Sequence, residues 1–348
     1  CVIAGAGSGK TTTLVARTNY LIEQGVDPKS ITCITFTNSA SETIKSRILS
    51  SNPLGYVGTL HSLMFKLLKK RNSELMVLPD EDSLQILHKY ATMLKFRKKS
   101  RKYLSQIRRS FWKENLEFEN LQLKQLYLNH LESINAYDYD SILLAGLSLL
   151  KEEPATFDCD FLLIDEYQDS SEIDLEIYHH ICPFNQFAVG DPRQAIYGFR
   201  GDYGVTLDGI EKTFDEVKYL QNNYRSNPKI VEFANGIQPE YREMYSKLPD
   251  TEDKCISIAK LEDENDEIHF LSNFLLNGNE ETAILCRTNS QRVKIECYLE
   301  ERGISYDSNK TLNALDGFWK IEYLLNLYDN PANKTASELY LRRLEPSK

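Results

Sequence analysis

No apolar run in the 348 residues approaches the length needed to cross a membrane, and no signal-peptide pattern is present. Cysteine is neither abundant nor paired. Seven are scattered as Cys1, Cys33, Cys159, Cys182, Cys255, Cys286 and Cys297, without a C-x-x-C pair. An odd count in apolar settings such as ITCITF and AILCRT argues against a disulfide framework or a zinc cluster. The cysteines read as free thiols of a reducing compartment. Internal repeats and low-complexity tracts are also missing. An excess of basic charge is lacking too, since 51 acidic against 41 basic residues give a net charge of −10. That would argue against a nucleic-acid partner if the basic residues were dispersed, but they are clustered. KFRKKSRK occupies 95–102, followed by Arg108 and Arg109, with KLLKKR at 66–71; acid gathers in LEDENDE at 261–267. What is present is an ordinary globular composition, 41% hydrophobic and 26% charged, long enough for two or three domains.

Short apolar runs alternate with amphipathic stretches: CVIAG, ITCITF, FDCDFLLID, QFAVGD, EVKYL, CISIAKL and TAILCRT. They are rich in Ile, Leu and Val and bounded by Gly, Asp or Asn, which predicts buried strands of a parallel sheet in an α/β fold. Residues 62–134 break the alternation and read as helical without a convincing strand. This predicts an all-α insertion within one α/β domain. The basic run at 95–109 reads as a solvated helix face, with some salt-sensitive contact to DNA phosphates if DNA is bound. A second α/β region is expected from about Lys218.

The chain opens as strand, glycine-rich turn and helix. Against G-x-x-x-x-G-K-[ST], Ala4 replaces the first Gly, and Gly5, Ala6, Gly7 and Ser8 lead to Gly9, Lys10 and Thr11, with Thr12 following. Such a loop lets backbone N–H groups converge on a phosphate, and the helix after it offers its N-terminal dipole to the same anion. Lys10 is expected on the β- and γ-phosphates and Thr11 on Mg²⁺. The site also needs a carboxylate at the end of another strand. FLLIDE at 161–166 supplies Asp165 to bind Mg²⁺ through water and Glu166 to polarise the attacking water. An ordinary Gly-rich turn and a strand ending in solvated acids remain the plain alternatives for each motif by itself.

DEYQDSS (165–171), VGDPRQAIYGFRGD (189–202) and NNYRS (222–226) follow in that order. They are accompanied by ITFTNSASETIKSRI (34–48), GTLHS (58–62), YDYD (137–140) and AILCRTNSQR (283–292). With the phosphate loop, this ordered set resembles the UvrD/Rep/PcrA-like family of superfamily 1 DNA helicases. The resemblance implies a RecA-like P-loop NTPase motor domain at 1–64 plus 135–217, a helical insertion at 65–134, and an incomplete second RecA-like domain at 218–348. It implies ATP and Mg²⁺ in a cleft between the two motor domains. Gln168 and Gln194 would report the γ-phosphate, Tyr224 would stack on adenine, and Arg225 would reach the γ-phosphate from the second domain. The implied catalytic set is Lys10, Asp165, Glu166, Gln194 and Arg225.

For DNA the resemblance points to Phe36, Thr37, Asn38, Thr59, His61, Tyr197, Phe199 and Arg200. Stacking aromatics and small polar groups suit sequence-tolerant binding of a single strand. Phe36 and Phe199 read equally well as core aromatics, His61 as an interior histidine and Arg200 as an ion-pair partner. The implied partners are single-stranded DNA and single/double-strand junctions, with no membrane, in a cytoplasmic, nucleoid-associated setting and in DNA repair or replication. The implied movement is 3′ to 5′.

Ser39, Ser41, Leu60, Pro192 and Arg193 depart from the family pattern, Arg193 standing where Asp is usual. The chain lacks the adenine-recognising Gln motif and the later TRA and KGLE stretches. It is therefore expected to be a fragment that does not unwind efficiently by itself. Three other functions are compatible with parts of the pattern: the motor part of a helicase–nuclease, a catalytically weak DNA- or partner-binding scaffold, and another P-loop NTPase such as a kinase. DEYQDSS and NYRS count against the kinase.

Overall fold

Alternate residues of the short apolar runs go to opposite layers of the core. Val2, Ala4, Ile31, Cys33 and Leu163 pack with Leu14, Val15, Leu21 and Ile44 on one side. Ile3, Ile34, Leu162 and Ile164 pack with Leu60, Leu63, Met64, Leu143 and Leu147 on the other. A period of two is that of strands, and burial on both faces is that of a parallel sheet covered by helices. Fully burying each Val, Leu, Ile or Met side chain among them contributes about 1.5–3 kcal/mol before the cost of ordering it.

The computed structural model describes residues 1–50, 52–113, 115–196, 205–239, 241–250, 256–277 and 282–307. The chain begins with β1 (Val2–Ala4), α1 (Lys10–Glu23), β2 (Ile31–Thr35), α2 (Asn38–Arg47), β3 (Tyr56–Thr59) and α3 (Leu60–Arg71). It continues with β4 (Met76–Val77), α4 (Asp80–Met93), α5 (Arg101–Arg109), α6 (Phe118–Ser133), β5 (Ala136–Tyr137) and α7 (Tyr139–Glu152). Next come β6 (Phe161–Ile164), α8 (Glu172–Ile181), β7 (Gln186–Gly190), α9 (Leu207–Thr213), β8 (Lys218–Leu220), β9 (Asn222–Asn223), α10 (Pro228–Ile237) and β10 (Tyr245–Ser246). The last two described helices are α11 (Glu264–Asn277) and α12 (Asn289–Glu301).

Six strands form one sheet in the order β3-β2-β6-β7-β1-β8, and every neighbouring pair is parallel. All six carboxyl ends therefore lie on one edge. The phosphate loop, Phe36, Asp165 and Asp191 each follow the end of a strand at that edge, and Thr59 ends β3 there, where open parallel sheets bind their ligands.

Between β3 and β6 the chain is mostly helical, but not free of strand. Met76–Val77 pair in parallel with Ala136–Tyr137, a two-residue ladder that closes α4 to α6 into one excursion. The sequence shows no strand there because two residues carry no periodicity. The basic run also differs from its reading as one solvated helix face. Lys95 has a left-handed φ of 58° and the helix starts only at Arg101. Arg108 is buried at 4% exposure. Its guanidinium donates to Asp140 (2.6 Å) and Asp80 (2.6 Å) and to the Ser83 hydroxyl, and lies 3.3 Å from Asp138. Asp138 also accepts from the Tyr127 hydroxyl and caps α7 through a capping box with Ser141. Arg108 thus clamps α4, α5 and α7 together.

The contacts divide the chain at Cys255/Ile256, whereas the sequence places a boundary near Lys218. Lys218–Leu220 pair with Val2–Ala4, so β8 is the edge strand of the first sheet. In the later unit, α11 and α12 pack together, and Tyr298 meets the His269 ring edge-on at 5.3 Å. Two expected strands there, CISIAKL and TAILCRT, are irregular over Ile256–Leu261 and Thr282–Cys286. Ile258 is 83% and Leu285 95% exposed. An apolar run becomes a strand only where a neighbour supplies the hydrogen-bond ladder, and none does so among the described residues.

Candidate functional site: a phosphate loop ringed by acids, amides and arginine

The loop at the end of β1 is built from local rules. Gly7 has φ +70°, and a Cβ there would lie 2.7 Å from the Arg225 Cβ. Ser8 turns back to donate from both N–H (3.2 Å) and hydroxyl (2.6 Å) to the Gly5 carbonyl. Gly9 caps α1 without a side chain, so no cap side chain accepts from the first-turn amides. This is the helix N-terminus that an anion occupies readily. Ala4 and Gly5 are buried, Ala6 and Thr12 exposed.

Lys10 reaches across this loop to the end of two other strands. Its ammonium lies 3.2 Å from a Glu166 carboxylate oxygen and 3.4 Å from the Gln194 side-chain carbonyl. Gln194 donates to Asp191 (2.7 Å). Gln168 donates to Glu166 (2.8 Å), and its own carbonyl accepts from the Asp191 N–H (2.8 Å). Lys10, Glu166, Gln168, Asp191 and Gln194 thus form one hydrogen-bonded ring. Glu166 adopts a left-handed backbone, φ 51°, which a non-glycine residue holds only at a cost of about 1–3 kcal/mol. The turn interrupts the strand's alternation right after Asp165.

Asp165 is 5% exposed. Burial, with the Glu166 charge beside it, pushes its carboxyl up to about 6, while the Glu166 N–H and the Lys10 charge act in the opposite direction, as does a hydrogen bond from Thr11. Thr11 and Asp165 are therefore adjacent oxygen donors. Hard oxygen from one carboxylate and one hydroxyl fits Mg²⁺, which takes few protein ligands and completes its shell with phosphate and water. Among the described residues no group of three or more His, Cys, Asp or Glu could hold a metal by itself.

Two residues that sequence reading passed over hold the site together. Asn223 is 2% exposed. It donates to the Ala6 carbonyl (2.7 Å) and accepts from the N–H groups of Arg225 and Ser226 (both 2.8 Å). With Tyr224 N–H on the Gly7 carbonyl (2.9 Å), it fixes the NNYRS turn directly on the phosphate loop. Tyr224 itself is 61% exposed, and the Arg225 side chain is exposed beside Gly7. Asp191, 1% exposed, is the second. The signal for both was the motif around them, NNYRS and GDPRQ, in which they read as flanking residues.

The DNA assignments fall at the ends of β2 and β3. Phe36 is 36% exposed. Thr37 and Thr59 are N-caps, their hydroxyls accepting from Ala40 N–H (3.2 Å) and Ser62 N–H (3.3 Å). Asn38 is exposed at the start of α2. His61 meets Tyr139 edge-on at 5.7 Å. A cavity of about 500 Å³ runs past Phe36, Thr59, His61, Trp112 and Tyr139 to Glu166. Tyr197, Phe199 and Arg200 lie outside the described residues.

Residues 1–215 match the UvrD/REP helicase N-terminal domain and residues 218–346 the UvrD-like helicase C-terminal domain. The second match starts at β8, although β8 completes the first sheet. The chain is similar to ATP-dependent DNA helicase Rep of Buchnera aphidicola subsp. Baizongia pistaciae, 29% identical over 353 residues covering 88% of this chain and 52% of that protein. Rep of Buchnera aphidicola subsp. Schizaphis graminum is 29% identical over 354 residues, 88% and 53%. ATP-dependent DNA helicase PcrA of Staphylococcus epidermidis strain RP62A is 26% identical over 351 residues, 88% and 48%. The chain spans about half the length of these curated relatives.

Proposed function

We propose, since the chain belongs to the UvrD/REP helicase family, that it is the ATP-hydrolysing part of an ATP-dependent DNA helicase or translocase. In this reading residues 1–64 and 135–217 are a RecA-like motor domain. Residues 65–134 are its helical insertion, and 218–348 belong to a second RecA-like domain, apart from β8, which pairs within the first sheet. Single-stranded DNA and single/double-strand junctions are the partners, and movement is 3′ to 5′.

The observation that carries the proposal is the ring around Lys10. One ammonium is held by a carboxylate at 3.2 Å and an amide carbonyl at 3.4 Å, at the mouth of a loop whose amides await an anion. A phosphate entering that loop competes for Lys10 and frees Glu166 to take a proton from water. Gln194 and Gln168 stay within one hydrogen bond of the change and pass it to Asp191 and Glu166. Arg225, anchored through Asn223, stabilises charge on the transferring phosphoryl oxygens. Tyr224 offers its exposed ring to the base. Thr11 and Asp165 would hold Mg²⁺, which when bound neutralises phosphate charge. The cavity from Glu166 to Phe36 and Tyr139 is the route by which bound DNA would sense the carboxylate.

The test is phosphate release from ATP by this chain, with and without single-stranded DNA, beside Lys10→Ala. Slow release that DNA accelerates and Lys10→Ala abolishes supports the motor reading. Release no greater than that of Lys10→Ala, with or without DNA, would place the chain among non-hydrolysing scaffolds.

A further inference from the structure

Arg193 stands where the sequence departs from its family pattern, beside the residue assigned to the γ-phosphate. It is not an idle substitution on the surface: its side chain is only 13% exposed. Asp191 divides its two carboxylate oxygens between neighbours. One accepts from the Arg193 Nε (2.9 Å) and the Arg193 N–H (3.2 Å); the other accepts from the Gln194 amide nitrogen (2.7 Å). Because that nitrogen faces a carboxylate, the Gln194 carbonyl is the end turned to Lys10.

The rest of the Arg193 fork faces away from Asp191. Nη1 donates to the Arg242 carbonyl (3.4 Å), and the guanidinium lies 5.7 Å from the Tyr241 ring centre. Nη2 lies against the phosphate loop: a Cβ on Gly5 would be 2.6 Å from it and would overlap the Met244 sulfur. The segment it grips is itself firmly held. Arg242 stacks 3.7 Å over the Tyr219 ring, the Asn235 side-chain amide donates to the Met244 carbonyl and accepts from the Met244 N–H, and Tyr245 N–H bonds the Gln221 carbonyl at 2.7 Å.

We infer that Arg193 is a positioning residue for γ-phosphate recognition. It neutralises buried Asp191, sets that carboxylate's free oxygen on Gln194, and thereby aims the Gln194 carbonyl at Lys10. Through the Arg242 carbonyl it ties this setting to the segment seated on Gly5. A planar fork suits the task because one side chain must satisfy a carboxylate and a carbonyl in different directions. An aspartate at 193 would place a second carboxylate beside Asp191 and could do neither.

The inference rests on the nucleotide reading of the site, and the test separates the two. Affinities of the chain for Mg²⁺ with a non-hydrolysable ATP analogue, and for ADP, are measured by fluorescence titration for the parent, Arg193→Ala, Arg193→Lys and Lys10→Ala. Arg193→Ala is expected to loosen the ATP analogue about tenfold and ADP by less than twofold. Arg193→Lys should fall between, about threefold, since an ammonium keeps the charge but cannot span both acceptors. A general structural role would weaken both nucleotides together. Equal losses for the two nucleotides, or none for either, overturn the inference while leaving the site's function standing. A parent that binds neither nucleotide, or binds as Lys10→Ala does, overturns the function reading and the inference with it.

Discussion

Glu166 and Asp165 are neighbours whose surroundings already separate them. Glu166 is turned by its left-handed backbone to Lys10 and Gln168, so Glu166→Gln keeps the hydrogen-bond reach and removes the carboxylate proposed as the base. The expected outcome is nucleotide binding within about twofold of the parent, with ATP hydrolysis reduced by about 10²-fold or more. Hydrolysis at the parental rate would move the base to another side chain. Asp165 carries a cost. Its folded pKa of about 6 lies above the ordinary value of 3.8, so the folded state holds its proton more tightly than the unfolded chain. The penalty is absent below about pH 4, grows as pH rises through 6 and is constant above. Asp165→Asn is therefore expected to be more stable than the parent by about 3 kcal/mol at pH 8 without metal, the gain vanishing near pH 4. Urea titrations at the two pH values check the sign. These residues were legible because each sits in a short motif with its own chemistry. Asp191 and Asn223 were not, since their work is to bind other site residues and nothing in their type announces it.

Caps and clamps decide the elements. Thr59 begins α3 by accepting the Ser62 N–H and donating to the Ser62 hydroxyl (2.9 Å). Thr59→Ala is expected to cost about 1 kcal/mol, and Thr59→Ser a small fraction of that. Loss of DNA affinity in Thr59→Ala but not in Thr59→Ser would assign the effect to the hydroxyl. Arg108 is the costlier contact. Arg108→Met leaves Asp138, at 1% exposure, without its cation, and about 3–5 kcal/mol of stability should go with it. A urea midpoint unchanged in that variant would mean that the three helices it joins are held by apolar packing alone. The sequence marked Arg108 as basic and surface-bound because it lies in a run of Lys and Arg. Its burial depends on Asp80, Asp138 and Asp140 arriving from 28 to 32 residues away, which no local pattern shows. The failed strands CISIAKL and TAILCRT teach the same rule from the other side: apolar composition proposes a strand, and a partner ladder makes it.

At the scale of the molecule, Lys10, Asp165, Glu166, Gln194 and Arg225 all lie within the unit Cys1–Cys255. Mg²⁺–nucleotide at a hundredfold excess over its Kd should stabilise that unit by about 2.7 kcal/mol. Calorimetry should then show an unfolding transition that shifts up with nucleotide and another that does not. A single transition moving as a whole would mean that the later unit unfolds with the first.

The sequence by itself determined the class of the fold, the phosphate loop, the carboxylates after FLLI and the family, because each is written in neighbouring residues. Only the tertiary structure decided that Gln194 faces Lys10, that Asn223 seats Arg225 on the phosphate loop, that Arg108 is a buried clamp and that β8 belongs to the first sheet. The physical reason is the parallel sheet. It brings the carboxyl ends of strands far apart in sequence to one edge, and the contacts made there belong to the edge and to no single stretch of chain.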